Sequence, residues 1–313
     1  MDTDIQPALI SLMAAGSDVT PPPAGDWRTR RFVIEATLDA ASGGLSLVDG
    51  IDVEKYATTA VDGAQLDLFL YRRVTTDQPG SAALFLHGGG MIAGWHRAYD
   101  LVARSYVAAS GVPLLSVRYR VAPEYPYLIP VEDCYAALTW LAAHATDLGI
   151  DATRVAVMGG SAGGGLAAGV ALLARDRSGP PLAQQVLFYP MLDDRTTTVD
   201  PHLPPFLTWS YDDNITGWGA LLGNRAHGTD ISRYVVPARA QDLSGLAPAY
   251  IDVGELDIFR DESLAYAGRL TAAGVSAELH VHPGAPHAFE ILAPKSGAAQ
   301  RAVAARIRRL KAM

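Results

Sequence analysis

Residues 155–168 read Val-Ala-Val-Met-Gly-Gly-Ser-Ala-Gly-Gly-Gly-Leu-Ala-Ala, an apolar run, a serine between glycines, and a second run of small residues. This order predicts a strand, a sharp turn at Ser161 and a helix. Gly159 and Gly163 would let the strand and helix pass closely, and the free amides at the helix start favour negative charge near the serine. Because a G-x-S-x-G string arises easily in a chain with 30 glycines, its meaning depends on the rest of the sequence.

A glycine-rich loop follows another apolar run. His87-Gly88-Gly89-Gly90 comes directly after residues 82–86, which predict a buried strand. Gly88 and Gly89 have no side chains, so a carbonyl oxygen can approach their amides closely. We expect these two amides, with that of Ala162, to form an oxyanion hole. His87 precedes the donors, so we expect it to hold the loop by a hydrogen bond rather than to transfer protons.

A nucleophilic serine needs a general base, and the base needs an orienting carboxylate. Residues 248–253 predict a strand whose exit loop contains Asp257, and residues 278–282 alternate as a strand that leads to His287. Ser161, Asp257 and His287 are therefore the predicted nucleophile, acid and base. Their order along the chain is the one found in α/β-hydrolases, and it differs from the orders in chymotrypsin and subtilisin.

Four motifs in this order resemble the hormone-sensitive-lipase-like α/β-hydrolases, which are the bacterial family IV carboxylesterases. The motifs are His-Gly-Gly-Gly at 87–90, Tyr-Arg-Val-Ala-Pro-Glu at 119–124, the Ser161 turn, and the pair Gly-Glu-Leu-Asp at 254–257 with His-Ala-Phe at 287–289. The resemblance covers roughly residues 50–313. It implies the Ser161/His287/Asp257 triad, an oxyanion hole from Gly88, Gly89 and Ala162, and a cap over the site.

The resemblance also implies a substrate class. A cap of this kind points to short-chain or medium-chain acyl esters, and no apolar lid suited to long-chain lipids is recognisable. One position departs from the family pattern, because the residue before the serine is usually Asp or Thr and here is Gly160. Gly160 has no side chain to make the contacts that an Asp or Thr would make at this position.

Other functions use the same residues or a few more. Amidase or acylamidase activity needs the same triad and differs in how the leaving group is protonated. A ligand-binding protein that has lost catalysis is the alternative outside enzymes, and the intact serine, acid and histidine argue against it. The ester mechanism requires no metal or organic cofactor. His280 and His282 share a strand face near His287, but a zinc site would need further fitting ligands, so we expect none.

Composition favours a globular protein without a nucleic-acid partner. The 313 residues include 25 basic and 33 acidic side chains, a net charge of −8, and 49% are hydrophobic, which allows a large core. The C-terminal segment carries a basic group. We expect it to form a solvated helix face that complements the helix dipole, and it consists of Arg306, Arg308, Arg309 and Lys311.

The expected location is the cytoplasm. Cys134 is the only cysteine, so no intrachain disulfide is possible, and we expect a buried, inert thiol. The first residues show no basic region followed by an apolar stretch, so no secretory signal is predicted. The uncharged stretch 155–174 reaches the length of a membrane span. A buried strand followed by a buried helix explains the same hydropathy, so we expect no membrane segment.

Strands and helices alternate after residue 82, which predicts an α/β fold with a mostly parallel eight-stranded sheet flanked by helices. The predicted strands are 51–57, 66–72, 82–86, 113–118, 154–158, 184–189, 249–253 and 277–282. The predicted helices include 98–109, 131–146, 162–175, 261–273 and 297–311. The last strand is expected at a sheet edge, where a second copy of the chain would cover it in a homodimer.

Two regions lack this alternation, residues 1–47 and 192–236. We expect both to build a helical cap over the hydrolase core, which comprises 48–191 and 237–313. The insertion supplies candidate residues for an acyl pocket, although they would serve equally to hold the cap on the core. These candidates are Phe206, Leu207, Trp209 and Trp218.

Overall fold

The computed structural model describes residues 1–15, 20–43, 47–73, 80–226 and 228–313. At its centre is one sheet of eight strands, and every predicted strand is present with bounds that differ by a few residues. The strands are β1 (Ile51–Thr59), β2 (Gln65–Arg73), β3 (Gly80–Leu86), β4 (Leu114–Val117), β5 (Ile150–Gly160), β6 (Gln184–Phe188), β7 (Ala249–Gly254) and β8 (Ala277–His282).

The strand order across the sheet is β1-β2-β4-β3-β5-β6-β7-β8. β2 runs antiparallel to both of its neighbours, and all the other neighbouring pairs are parallel. The predicted α/β fold with a mostly parallel sheet is confirmed. Because β3, β5, β7 and β8 point the same way, the loops that leave their carboxyl ends meet at one edge of the sheet. β8 is the last strand at one side.

The described part of the chain contains nine α-helices. They are α1 (Gln6–Ala15), α2 (Trp27–Gly43), α3 (Arg97–Ser110), α4 (Ile129–Ala143), α5 (Ala162–Asp176), α6 (Tyr211–Leu222), α7 (Arg260–Ala272), α8 (Phe289–Leu292) and α9 (Gly297–Lys311). The sequence predicts helices at the places of α3, α4, α5, α7 and α9 but indicates no bounds for the others. The uncharged stretch 155–174 divides between β5 and α5. Within the described ranges, every helix falls short of the length and apolarity needed to cross a bilayer.

Alternating side chains of the central strands build a core on each face of the sheet. Leu84 of β3 belongs to the core on one face, together with Val170 of α5. The next residue, Phe85, belongs to the core on the other face, with Val107 of α3 and Leu310 of α9. The central strands are therefore buried on both faces, as expected for a doubly covered parallel sheet.

The insertion between β6 and β7 packs against α2. Arg30 of α2 is buried, and its Nε lies 2.6 Å from Oδ1 of Asp213 in α6. The Gly25 amide, just before α2, donates to Thr216 Oγ1 at 2.8 Å. The start of α1 has other neighbours, since the adjacent Ile5 is buried in a cluster with Phe289 of α8. Residues 16–19, 44–46 and 227 of the predicted cap lie outside the described residues, and the division into cap and core stays a prediction.

The prediction of a solvated basic face at the C-terminus is wrong for Arg306. Its side chain in α9 is 0% exposed, whereas Arg309 is partly exposed beside Glu278. The reason is helical spacing. Ala298, Ala302 and Arg306 recur every four residues on the face of α9 that packs against the core. This spacing indicates that Arg306 lies on the buried face of the helix, but the run of basic residues around it suggests an exposed face instead.

Candidate active site

Ser161 occupies the sharp turn between β5 and α5. Its φ of +57° and ψ of −124° are rare for a residue with a side chain and mark local backbone strain. A Cβ added to Gly163 would lie 2.1 Å from the Leu86 carbonyl oxygen, and one added to Gly159 would lie 2.4 Å from the Gly163 carbonyl oxygen. Only glycine fits both positions, so β5 and α5 approach closely and hold the strained serine at their junction.

Ser161, His287 and Asp257 lie in series within hydrogen-bonding distance. His287 Nε2 is 3.0 Å from Ser161 Oγ, and His287 Nδ1 is 2.7 Å from Asp257 Oδ2. Asp257 is fully buried, and its other carboxylate oxygen accepts the amide of Phe259 at 2.9 Å. When Nδ1 donates to the carboxylate, Nε2 is free to accept a proton from the serine.

The loops that carry Asp257 and His287 follow two adjacent parallel strands, β7 and β8. Directly after His287 the chain turns at Ala288, whose φ is +53°. Thr208 of the insertion donates its hydroxyl to the His287 carbonyl oxygen at 2.6 Å. The insertion therefore contacts the His287 loop directly. Sequence reasoning missed Thr208, because a threonine in an irregular segment carries no pattern that indicates its partner.

The three predicted oxyanion donors lie around Ser161. A Cβ built on Gly88 would be 3.5 Å from the Ser161 Cβ, and Gly89 has a φ of +117°, a conformation that glycine favours. In the part of the chain that the structure describes, no acceptor receives the amide hydrogen of Gly88 or Gly89. Ala162 is the first residue of α5, so its amide has no partner within the helix. All three amides are available to an external oxygen.

His87 is fully buried beneath this loop. Its ring stacks on Tyr119 with centroids 4.1 Å apart, and its Nδ1 is 2.7 Å from the Gly88 carbonyl oxygen. The Tyr119 hydroxyl donates to the His87 carbonyl oxygen at 2.7 Å. Burial lowers the pKa of His87 to about 4, so the ring is neutral near pH 7. These contacts agree with the expected role of holding the glycine loop.

Of the pocket candidates, Trp209 lies against both the glycine loop and His287 of the predicted triad. A Cβ on Gly90 would lie 2.2 Å from the indole Cη2, and the indole centroid is 6.5 Å from that of His287. Trp209 is buried, and no acceptor among the described residues receives its Nε1 hydrogen. Trp218 belongs to the same core cluster as Leu84, Leu207 is partly buried against that cluster, and Phe206 is half-buried.

Gly160, the departure from the family pattern, faces two aromatic rings. A Cβ there would lie 2.4 Å from Phe188 Cε2 and 3.1 Å from Tyr189 Cε2. The space that a side chain before the serine would need is therefore filled from β6 and the residue after it. Tyr189 also packs edge-on against His287, with ring centroids 4.7 Å apart. Sequence reasoning missed both aromatic residues because their relevance depends on the pairing of β5 with β6.

Residues 83–291 match the family described as the α/β-hydrolase fold. The chain belongs to this family. The α/β-hydrolase is 42% identical over 215 residues to the carboxylesterase NlhH of Mycobacterium tuberculosis, a match that covers 66% of this chain and 65% of that protein. The chain thus aligns with slightly less than two thirds of this relative's length.

Solved esterase structures match the α/β-hydrolase over almost its whole length. The bacterial heroin esterase has a TM-score of 0.88 and 36% sequence identity, and the match covers 98% of this chain and 96% of that chain. A hyperthermophilic esterase from the archaeon Pyrobaculum calidifontis has a TM-score of 0.87 and 29% identity, with coverage of 100% and 98%. The predicted resemblance to the hormone-sensitive-lipase-like group is confirmed.

Proposed function

We propose that this α/β-hydrolase is a serine carboxylesterase that cleaves short-chain to medium-chain acyl esters through an acyl-enzyme on Ser161. The observation that carries the proposal is the position of His287, whose two ring nitrogens lie 3.0 Å from Ser161 Oγ and 2.7 Å from Asp257 Oδ2. The names of the relatives, carboxylesterase and esterase, support esters over amides as the substrate class.

The first half of the reaction transfers the acyl group to the enzyme. His287 Nε2 takes the hydroxyl proton as Ser161 Oγ attacks the ester carbonyl carbon, and the carbonyl oxygen becomes an oxyanion. Asp257 holds the imidazole in the required tautomer and stabilises the imidazolium. The tetrahedral intermediate then collapses, the bond to the alcohol oxygen breaks, and His287 gives its proton to the departing alcohol.

The second half releases the acid. Water gives a proton to His287 Nε2 and attacks the acyl carbon, and the bond to Ser161 Oγ breaks as the serine recovers a proton from His287. In both halves the amides of Gly88, Gly89 and Ala162 donate to the oxyanion. Fixed donors of this kind cost no reorganisation when the charge develops, and each contributes about 100-fold to 1,000-fold in turnover.

The preference for small acyl groups rests on access to the serine. Ser161 is only 8% exposed and His287 only 7%, so little of either side chain is open to a bulky substrate. The Trp209 indole packs on Gly90, next to the oxyanion donors. We propose that this indole limits the length of the acyl chain that fits beside Ser161.

Rates on a series of p-nitrophenyl esters of increasing acyl length test the proposed activity. We expect turnover of acetate and butyrate esters, a decline with longer chains, and loss of activity in Ser161→Ala with the fold retained. Ester turnover near the parent rate by Ser161→Ala would refute the nucleophile. Turnover of amides but not esters would refute the substrate class.

Replacement of Trp209 tests the acyl pocket. In Trp209→Ala, we expect the ratio of hexanoate to acetate turnover to rise by about 10-fold, because a difference of a few methylenes in an apolar pocket is worth that much or more. Trp140→Ala is the matched control, since this tryptophan of α4 packs against Tyr56 and His144 instead. An unchanged ratio in Trp209→Ala would exclude the indole as the limit.

We also propose a homodimer formed through β8, the terminal strand of the sheet. Val281 in this strand is 37% exposed, and an unpaired edge is open to pairing with a second copy. Light scattering should give twice the mass of one chain, and a monomer at working concentrations would remove the idea. The cytoplasmic location expected from the sequence stays a prediction.

A further inference from the structure

Arg306 is a fully buried cation that the proposed reaction does not use directly. Its Nε and Nη2 bind the two carboxylate oxygens of Asp252 at 2.7 and 2.6 Å. Its Nη1 binds Glu290 Oε1 at 2.6 Å and lies 3.3 Å from the Tyr106 hydroxyl. A buried guanidinium is stable only when it is paired in this way, because removing it from water costs several kcal/mol. The position of Arg306 in α9 is therefore fixed by its partners.

Two contacts of Arg306, with Asp252 and Phe188, involve the segments next to the proposed acid and nucleophile. Asp252 lies in β7, the strand whose exit loop carries Asp257. The guanidinium carbon also lies 4.3 Å from the ring centroid of Phe188, the side chain that fills the space behind the residue preceding Ser161. One cation thus contacts the segments that support two members of the triad.

The contact of Arg306 with Glu290 connects it to the proposed base, His287. Glu290 Oε1, which binds Arg306, also accepts the Tyr189 hydroxyl at 2.5 Å, and the Tyr189 ring packs edge-on against His287. The Tyr189 amide donates to the Asp252 carbonyl oxygen at 2.6 Å, and its φ is +36°. Such a conformation persists only where the surroundings impose it, and it occurs preferentially at functional sites.

We propose that Arg306, Glu290 and Tyr189 form a positioning network for the general base. Arg306 fixes the Glu290 carboxylate, the carboxylate fixes the Tyr189 hydroxyl, and the Tyr189 ring forms a wall that keeps the imidazole of His287 aligned with Ser161 Oγ. The imidazole must keep this alignment while it gains and loses a proton. This inference rests on the proposed function, since it assigns a role relative to the base of that reaction.

Glu290→Ala tests the network. It frees the Tyr189 hydroxyl and leaves Arg306 with Asp252 as its carboxylate partner. We expect kcat to fall by about 10-fold to 100-fold, because a displacement of about 1 Å at a reacting group costs that much, while KM stays within about 2-fold. Glu290→Gln should recover most of the loss, because the amide oxygen can still accept from both partners.

The matched control is Glu132→Ala. Glu132 of α4 pairs with Arg177 at 2.5 Å, and its side chain is 15% exposed, close to the 11% of Glu290. Arg177 directly follows α5, so at 1.5 Å per residue it lies about 24 Å from Ser161 along the helix. We expect Glu132→Ala to lower the melting temperature without changing kcat.

A fluorophosphonate probe separates failure of the network from failure of the proposed function. Ser161 Oγ displaces fluoride from phosphorus while His287 takes the serine proton, so the labelling rate reports the base without an ester. Labelling of Glu290→Ala that slows in step with kcat supports the network. A parent-like kcat and labelling rate in Glu290→Ala would overturn it. A parent protein that neither labels nor cleaves esters would instead refute the proposed function.

Tyr189→Phe decides the matter if Glu290→Ala does not fold. This variant keeps the ring beside His287 and removes only the hydroxyl that Glu290 holds. We expect kcat to fall by about 3-fold to 10-fold at nearly constant KM. This loss is smaller than in Glu290→Ala because the ring still packs against His287 and only its hydrogen bond to Glu290 is absent. An unchanged kcat and labelling rate would overturn the role assigned to Glu290 and Tyr189.

Discussion

The surroundings of Ser161 and of His287 are held in place in different ways. Near Ser161, the backbones at Gly159 and Gly163 pack so closely that neither position has space for a Cβ atom. Near His287, the buried ion pair between Arg306 and Glu290 holds the neighbouring segments. A close contact between two backbones depends on the absence of side-chain atoms, so a substitution that adds an atom destabilises it. A buried ionic network depends on the pairing of its charges, so a substitution that removes one partner destabilises it. The two sides of the proposed triad should therefore respond to opposite kinds of substitution.

The largest loss of stability is expected from Gly163→Ala. The added Cβ would meet the Leu86 carbonyl oxygen at 2.1 Å, and neither backbone can move without displacing β3 or α5. We expect a loss of about 3 kcal/mol in the free energy of unfolding, measured by urea denaturation, together with loss of esterase activity.

Gly268→Ala is the control for this substitution. Gly268 lies in α7, and among the described residues no atom outside the adjacent backbone of that helix lies within 4 Å of the Cβ it would gain. Alanine there should stabilise the protein by about 0.5 to 1 kcal/mol through higher helix propensity. If Gly163→Ala were as harmless as Gly268→Ala, the steric account of the turn would be wrong.

A smaller effect is expected from Gly160→Ala, because the atoms it meets belong to side chains that can shift. Its Cβ would lie 2.4 Å from Phe188 Cε2, which should cost about 2 kcal/mol. Phe188→Leu opens this space, so in the double variant Gly160→Ala should cost clearly less than in the parent. Additive losses in this double-mutant cycle would show that the Phe188 ring is not the obstacle. Because Phe188 also packs on Arg306, the cycle probes the point where the two sides of the triad meet.

The smallest effect concerns His87 and pH. Burial lowers the pKa of this histidine from 6.5 to about 4, so between these values the unfolded chain binds a proton that the folded chain excludes. The stabilising contribution is complete above pH 6.5 and is lost as the pH falls towards 4. Lowering the pH from about 7 to about 5.5 should therefore cost the parent about 1 kcal/mol more than His87→Gln. Equal losses in the two proteins would contradict a buried neutral His87.

The features that were predictable from sequence depend on local patterns. The eight strands follow from apolar runs between turns, and Ser161 and the Gly88 loop follow from glycine spacing that a specific turn requires. The positions of Asp257 and His287, the proposed acid and base, follow from their place in loops after strands. Each of these signals lies within a few residues of the feature it indicates.

The features that were missed depend on contacts between distant segments. α1, α2 and α6 lie outside the regular alternation of strands and helices, so no neighbouring strand indicated their bounds. Arg306 stands in a run of basic residues that reads as a solvated face, and its true partner Asp252 is 54 residues away. The role proposed for Tyr189 depends on both the β5–β6 pairing and the position of the His287 loop. Patterns within a few neighbouring residues do not indicate contacts between segments that are distant in the sequence.

The central claim is that His287 activates Ser161 with the help of Asp257. The most direct test is to label the protein with a fluorophosphonate, locate the adduct by peptide mapping and measure the rate of labelling. In the parent we expect one adduct, on Ser161, and in Ser161→Ala we expect none. Asp257→Asn should keep its fold, because the asparagine oxygen can still accept the Phe259 amide, and should label about 10⁴-fold more slowly because the imidazole loses its tautomer. Labelling of Ser161→Ala, or of Asp257→Asn at the parent rate, would contradict the account.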